Sequence, residues 1–181
     1  MEELRLLPLG TSDFAALRLR NQIYVDKSAL VYKVASQNGI FLFVRPRRFG
    51  KSLLISTFES LFKFGLRDFK DLAIEKLWIE KKIYNVVRLD FSEMSPDFGL
   101  KKFRDDLRDR LIDNFSSFGF RYDQAGSSIF KQLSVWLKKQ EPNSLVLLVD
   151  EYDTPLTSCL NNPELFNSVQ VALSDFYAVL K

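Results

Sequence analysis

The sequence predicts an α/β sandwich, with helices packed on both sides of a largely parallel sheet. Two observations predict it. Three short runs are apolar at consecutive positions, the habit of strands buried on both faces in a parallel sheet. Around them lie segments whose apolar residues recur at helical spacing, so that strands and helices alternate along the chain.

The first apolar run is Ile40-Phe41-Leu42-Phe43-Val44, preceded by Gly39. A helix is expected from Ser52 to Phe64, with Leu53, Ser56, Thr57, Ser60, Leu61 and Phe64 on one stripe. Its small residues suit close packing against a sheet. The second run, Val86-Val87-Arg88-Leu89, lies between Asn85 and Asp90. Leu100–Phe118 then carries Phe103, Leu107, Leu111, Ile112 and Phe115 on one face, with charges opposite. Ile129–Lys139 repeats the pattern through Phe130, Leu133, Val135 and Leu137. The third run, Leu145-Val146-Leu147-Leu148-Val149, is entered through Pro142-Asn143 and leads into Asp150-Glu151. A last helix is announced by Asn162 as cap, Pro163 at its first position and Glu164 in its first turn. Three central strands are few for a doubly wound sheet, so the sheet is expected to be incomplete at the C-terminus, as in a piece of a longer protein.

Composition excludes several classes of function. The chain has 181 residues, 46% of them hydrophobic and 27% charged, which suits one globular domain. A net charge of +3 is too mild for a nucleic-acid footprint. With one cysteine, Cys159, and no histidine, the chain offers no internal disulfide, no Cys/His zinc site and no Ser-His or Cys-His pair. Cys159 reads as an inert small residue. Met1–Asp13 lacks the order of a secretory signal. The longest apolar runs have five residues, where a membrane helix needs about 20. A soluble cytoplasmic protein without membrane contact is the expectation.

The basic residues cluster. Arg45, Arg47, Arg48 and Lys51 fall within Arg45-Pro46-Arg47-Arg48-Phe49-Gly50-Lys51-Ser52, between an apolar run and a helix. The last three residues match the end of the phosphate-loop pattern G-x-x-x-x-G-K-[ST], while Arg45 replaces its first glycine. Gly50 would let backbone approach phosphate without a Cβ in the way. The N–H groups of Gly50, Lys51, Ser52 and Leu53 open the helix without intrahelical partners, so they suit an anion. Lys51 would reach the terminal phosphates, and the Ser52 hydroxyl would ligate Mg²⁺. Arg47, Arg48 and Phe49 complete the loop; the two arginines either bind phosphate or stay solvated. The tripeptide by itself arises by chance in roughly one chain in ten of this length, so the strand–turn–helix context carries the reading.

A metal-organising acid is also present. Asp150 and Glu151 emerge at the C-terminal tip of an apolar strand, where open α/β sheets bind ligands. Asp150 would hold the Mg²⁺ shell, and Glu151 would orient or deprotonate an attacking water. An ordinary acidic turn after a strand would look the same in isolation. Asp90 ends the second run and either lines the site or caps a turn.

These residues resemble a known family. Tyr24-Val25-Asp26-Lys27-Ser28, the block from Arg45 to Leu54, and Val149-Asp150-Glu151-Tyr152-Asp153-Thr154-Pro155-Leu156 are similar to the signature blocks of the AAA-ATPase-like family of bacterial and archaeal proteins. The resemblance covers most of the chain and includes the arginine at position 45. It implies the three-layer sandwich of a P-loop NTPase, related to the AAA and STAND groups, with Walker-type motifs at Gly50–Ser52 and Asp150–Glu151. It also implies a C-terminal nuclease-like domain of the PD-(D/E)XK type in many full-length members. On this reading residues 1–38 are a lead-in segment and 39–181 the NTPase core. The Tyr24–Ser28 block either helps enclose a nucleotide base or forms a structural turn.

The expected function is Mg-ATP binding and hydrolysis by a regulatory module of a larger protein, with homo-oligomers and the nuclease-like domain as candidate partners. The chain lacks an N-K-x-D guanine-reading segment, which favours ATP over GTP. A non-hydrolysing, nucleotide-gated interaction module is the alternative. Nucleic-acid binding through Arg45, Arg47, Arg48 and Lys51 is a third reading, which no aromatic-rich basic stripe accompanies.

Overall fold

A computed structural model describes residues 5–44, 46 and 48–180; the expected roles of Arg45 and Arg47 lie outside the described residues. The chain divides into two compact units, Met1–Val86 and Val87–Lys181.

In the first unit three α-helices, α1 (Phe14–Leu19), α2 (Ser28–Ala35) and α3 (Lys51–Phe64), are followed by 3-10 turns at Gly65–Asp68 and Ala73–Lys76. Asp13 caps α1 by accepting the Ala16 N–H at 2.9 Å. The buried side of α3 is Ser56, Thr57, Phe58, Ser60, Leu61 and Phe62. Its small residues seat α1, since the Phe14 N–H donates to the Ser56 hydroxyl at 2.9 Å. The stripe expected from periodicity is shifted at its end. Phe64 is exposed, with the Arg67 guanidinium 3.7 Å above its ring, while Phe58 and Phe62 enter the core. Phe14, Leu17, Phe69, Ile74 and Trp78 complete that core.

The expected strand at Ile40–Val44 does not form. Residues 40–44 have no regular secondary structure, and Ile40, Leu42 and Val44 are 74%, 67% and 75% exposed. Apolarity on two faces makes a strand only where a neighbour accepts its backbone hydrogen bonds. Here only Phe43 turns inward, its ring 5.9 Å from that of Phe58.

The sheet has two strands among the described residues, β1 (Asn85–Asp90) and β2 (Leu145–Asp150), and they run parallel. Between them come α4 (Leu100–Ser116) and α5 (Ile129–Leu137); after them come α6 (Thr154–Thr157) and α7 (Pro163–Val179). Alternation along the strands sorts the side chains. Val87 and Leu89 of β1, with Leu145, Leu147 and Val149 of β2, face a core built from Phe103, Leu107, Leu111 and Phe115 of α4, Leu133 of α5, and Val169, Leu173 and Phe176 of α7. The alternate positions, Val86, Arg88 and Asp90 with Val146, Leu148 and Asp150, therefore share the other face. The second unit is thus α/β, with helices on a small parallel sheet.

Local signals set the boundaries. The Asn162 side chain accepts the Leu165 N–H at 3.1 Å and Pro163 opens α7, as expected. In α5, Val135 is exposed and Ile129 takes the buried place, because the helix is short and presents its first turn to the core. Cys159 is buried, its thiol donating to the Pro155 carbonyl at 3.3 Å, and burial pushes its pKa up. Among the described residues no helix is long and apolar enough to cross a membrane.

Candidate functional site

The residues expected to form a phosphate loop stand where a loop becomes a helix. Gly50 is the residue before α3, at φ 73° and ψ 27°, a left-handed conformation that an L side chain adopts only with strain. A Cβ on Gly50 would meet nothing within 4 Å, so it is the backbone angle, rather than crowding, that calls for glycine. Arg48, two residues earlier, is also left-handed at φ 67°. The chain thus enters α3 through two left-handed residues, Arg48 and Gly50. No side chain caps α3 and no acidic residue lies in its first turn. The first-turn N–H groups thus keep their positive end for an incoming anion. Lys51, Ser52 and Leu53 occupy that turn and are half-buried, while Arg48 and Phe49 are exposed beside it.

The acidic residues stand at the end of β2 in the second unit. Asp150 is buried, 4% exposed, and its two carboxylate oxygens have separate partners. Oδ1 accepts the Glu151 N–H at 3.1 Å, and Oδ2 faces Arg88 Nη2 of β1 at 3.4 Å. Glu151 is half-buried and left-handed at φ 51°. A non-glycine residue held there stores strain, and such outliers cluster at functional sites. The turn is fixed by Thr154, whose N–H reaches the Glu151 carbonyl at 3.0 Å and whose hydroxyl donates to Glu151 Oε2 at 3.4 Å. One further acceptor, Asp153 Oδ1, is buried without a hydrogen-bond partner among the described residues.

Asp90 ends β1 beside this turn. Its carboxylate accepts the Ser92 N–H at 2.8 Å, a turn-capping role, and its carbonyl accepts from Arg110 Nη1 of α4. The Phe91 N–H joins the two strand ends by donating to the Asp150 carbonyl at 3.1 Å.

Tyr24–Ser28 is a structural joint of the first unit. Asp26 accepts from the Ser28 and Ala73 N–H groups, both at 2.8 Å, and the buried Ser28 hydroxyl accepts the Ile74 N–H at 3.0 Å. Burial of Asp26 opposes its ionisation, yet the hydrogen bonds from Ser28 and Ala73 outweigh that and hold its carboxyl below the usual value. Tyr24 packs edge-on against Phe14, with centroids 5.1 Å apart.

Each unit by itself offers hard oxygens of the kind magnesium takes: the Ser52 hydroxyl in the first, and in the second the Asp150 carboxylate with Asp153 Oδ1, which lacks a hydrogen-bond partner among the described residues. Among the described residues no group of three or more His, Cys, Asp or Glu could cage a metal.

Comparison with known proteins bears on the chain as a whole. The family model described as predicted AAA-ATPase matches residues 8–181. A curated relative, "Uncharacterized protein in vnfD 5'region" of Azotobacter chroococcum mcd 1, is 29% identical over 181 residues. That match covers 97% of this chain and 34% of the relative, so the chain spans about a third of the relative's length. No solved structure matches the chain.

Proposed function

The chain belongs to the AAA-ATPase-like family, and from that premise we propose that it binds Mg-ATP and hydrolyses it as the regulatory module of a larger protein. The observation that carries the reading is the start of α3, where left-handed Gly50 delivers an uncapped helix with Lys51 and Ser52 in its first turn. The same reading extends the α/β architecture to the three-layer sandwich of P-loop NTPases, with residues 1–38 leading into a core at 39–181.

In this mechanism the N–H groups of Gly50–Leu53 hold the phosphates at the positive end of α3. Lys51, an unbranched point charge, follows the terminal phosphate as negative charge shifts toward the leaving oxygen. The Ser52 hydroxyl and the Asp150 carboxylate would hold Mg²⁺, which supplies charge neutralisation on the phosphate oxygens. Glu151 orients the attacking water and accepts its proton, with Thr154 steadying the carboxylate. Phosphoryl transfer asks mainly for such positioning, which is why few side chains suffice.

Phosphate release from ATP tests the hydrolytic half of the proposal. The parent protein is expected to turn over, and Glu151→Gln to bind ATP without turning over. A parent that binds ATP but releases no phosphate would replace hydrolysis with a nucleotide-gated interaction.

A further inference from the structure

Three carboxylates crowd the turn that follows β2, and one of them is placed against the local rules. The Thr154 N–H closes the turn on the Glu151 carbonyl at 3.0 Å, so Asp153 stays within one turn of Asp150. Asp153 is the residue before α6, the position where an aspartate side chain ordinarily accepts helix N–H groups. It accepts none there. Its Oδ1 is instead buried, with no hydrogen-bond partner among the described residues. The neighbouring carboxylates are served, Asp150 by the Glu151 N–H and Arg88, and Glu151 by the Thr154 hydroxyl. A buried acceptor left unpaired destabilises a fold, so Asp153 calls for a donor that arrives with a ligand. We propose that Asp153 is a second acid of the magnesium site, accepting hydrogen bonds from water on the cation that ATP brings. This inference rests on the reading of Asp150 as the metal-holding acid.

The chemistry of magnesium fits such an acceptor. The ion gives up its water reluctantly and is held by one or two carboxylates together with substrate phosphates. Asp150 and Asp153 supply that number, and among the described residues they belong to no cage that would hold the ion without the nucleotide. Water on a dication is a strong donor, and acceptors beyond the direct ligands orient the shell of a bound ion. An aspartate kept only for structure would spend its oxygens on α6, as Asp13 does on α1.

Equilibrium binding of fluorescent ATP, with Mg²⁺ and with EDTA, tests the proposal together with thermal melts of the nucleotide-free protein. Asp153→Asn is expected to weaken Mg-ATP binding by about 10- to 100-fold, the usual effect of losing an outer-shell partner. Its binding of metal-free ATP should match the parent's. Its nucleotide-free Tm should equal or exceed the parent's, because an unpaired buried charge has been removed. A structural role predicts the opposite pattern, a lower Tm with Mg-ATP affinity intact. A lower Tm, an unchanged Mg-ATP affinity, or an equal loss with and without metal overturns the proposal. Asp150→Asn separates this inference from the reading beneath it. If that variant keeps the parent's Mg-ATP affinity, the metal reading fails and the role of Asp153 falls with it. If it loses affinity while Asp153→Asn does not, the role of Asp153 alone fails.

Discussion

The Phe14 N–H donates to the Ser56 hydroxyl at 2.9 Å, across 42 residues of sequence, and fastens α1 to the middle of α3, the helix that opens at Gly50-Lys51. Ser56→Ala removes the acceptor and leaves a buried N–H unpaired. The expected loss is about 1–3 kcal/mol of stability, read as a lower urea midpoint with an unchanged slope. An unchanged midpoint would mean that the bond contributes nothing to holding α1.

Glu151 at φ 51° carries strain that glycine would not. Glu151→Gly should therefore keep or raise stability, by up to about 1 kcal/mol or some 2–4 °C in Tm, while ending ATP turnover. A variant that is both inactive and markedly less stable would show that the Thr154 contacts, rather than function, hold the turn.

Asp68 gives the first unit a pH dependence. Burial raises its pKa, but the Arg67 and Ser60 hydrogen bonds outweigh this and bring the carboxyl below the ordinary value of 3.8. A carboxyl lowered on folding stabilises fully above the unfolded value, and that contribution is lost as pH falls through the folded one. Thermal melts of the parent should thus lose stability below about pH 4, and Asp68→Asn should show a shallower acid slope with a lower Tm at neutral pH. Parallel slopes for the two proteins would contradict this.

Burial separates two apolar positions, one on α4 and one on α5. Leu111 is fully buried in the second core, whereas Val135 on α5 is 49% exposed. Leu111→Ala should cost about 2–5 kcal/mol, and Val135→Ala less than about 0.5 kcal/mol. Comparable losses by chemical denaturation would refute the placement of the core.

Much of this fold was legible because its signals are local. Asn162-Pro163-Glu164 announces α7 through cap chemistry that needs no distant partner, and the acid-tipped run 145–150 announces β2. Ile40–Val44 misled because apolarity says nothing about whether a neighbouring strand will accept its backbone. Likewise Asp26 and Ser28 meet Ala73 and Ile74, which lie 47 and 46 residues away, so no pattern within the block reveals its role. The partnership of Arg88 with Asp150 needs the register of β1 on β2, which composition does not specify. The phosphate loop is the intermediate case. Its helix start at Gly50-Lys51-Ser52 is readable, whereas the left-handed conformation of Arg48 is not.

The central claim is that the start of α3 holds the phosphates of ATP through Lys51, and titration of fluorescent ATP with Mg²⁺ tests it most directly. The account predicts saturable binding by the parent and its loss in Lys51→Ala, with circular dichroism and Tm unchanged. Undiminished binding by a folded Lys51→Ala protein would contradict it.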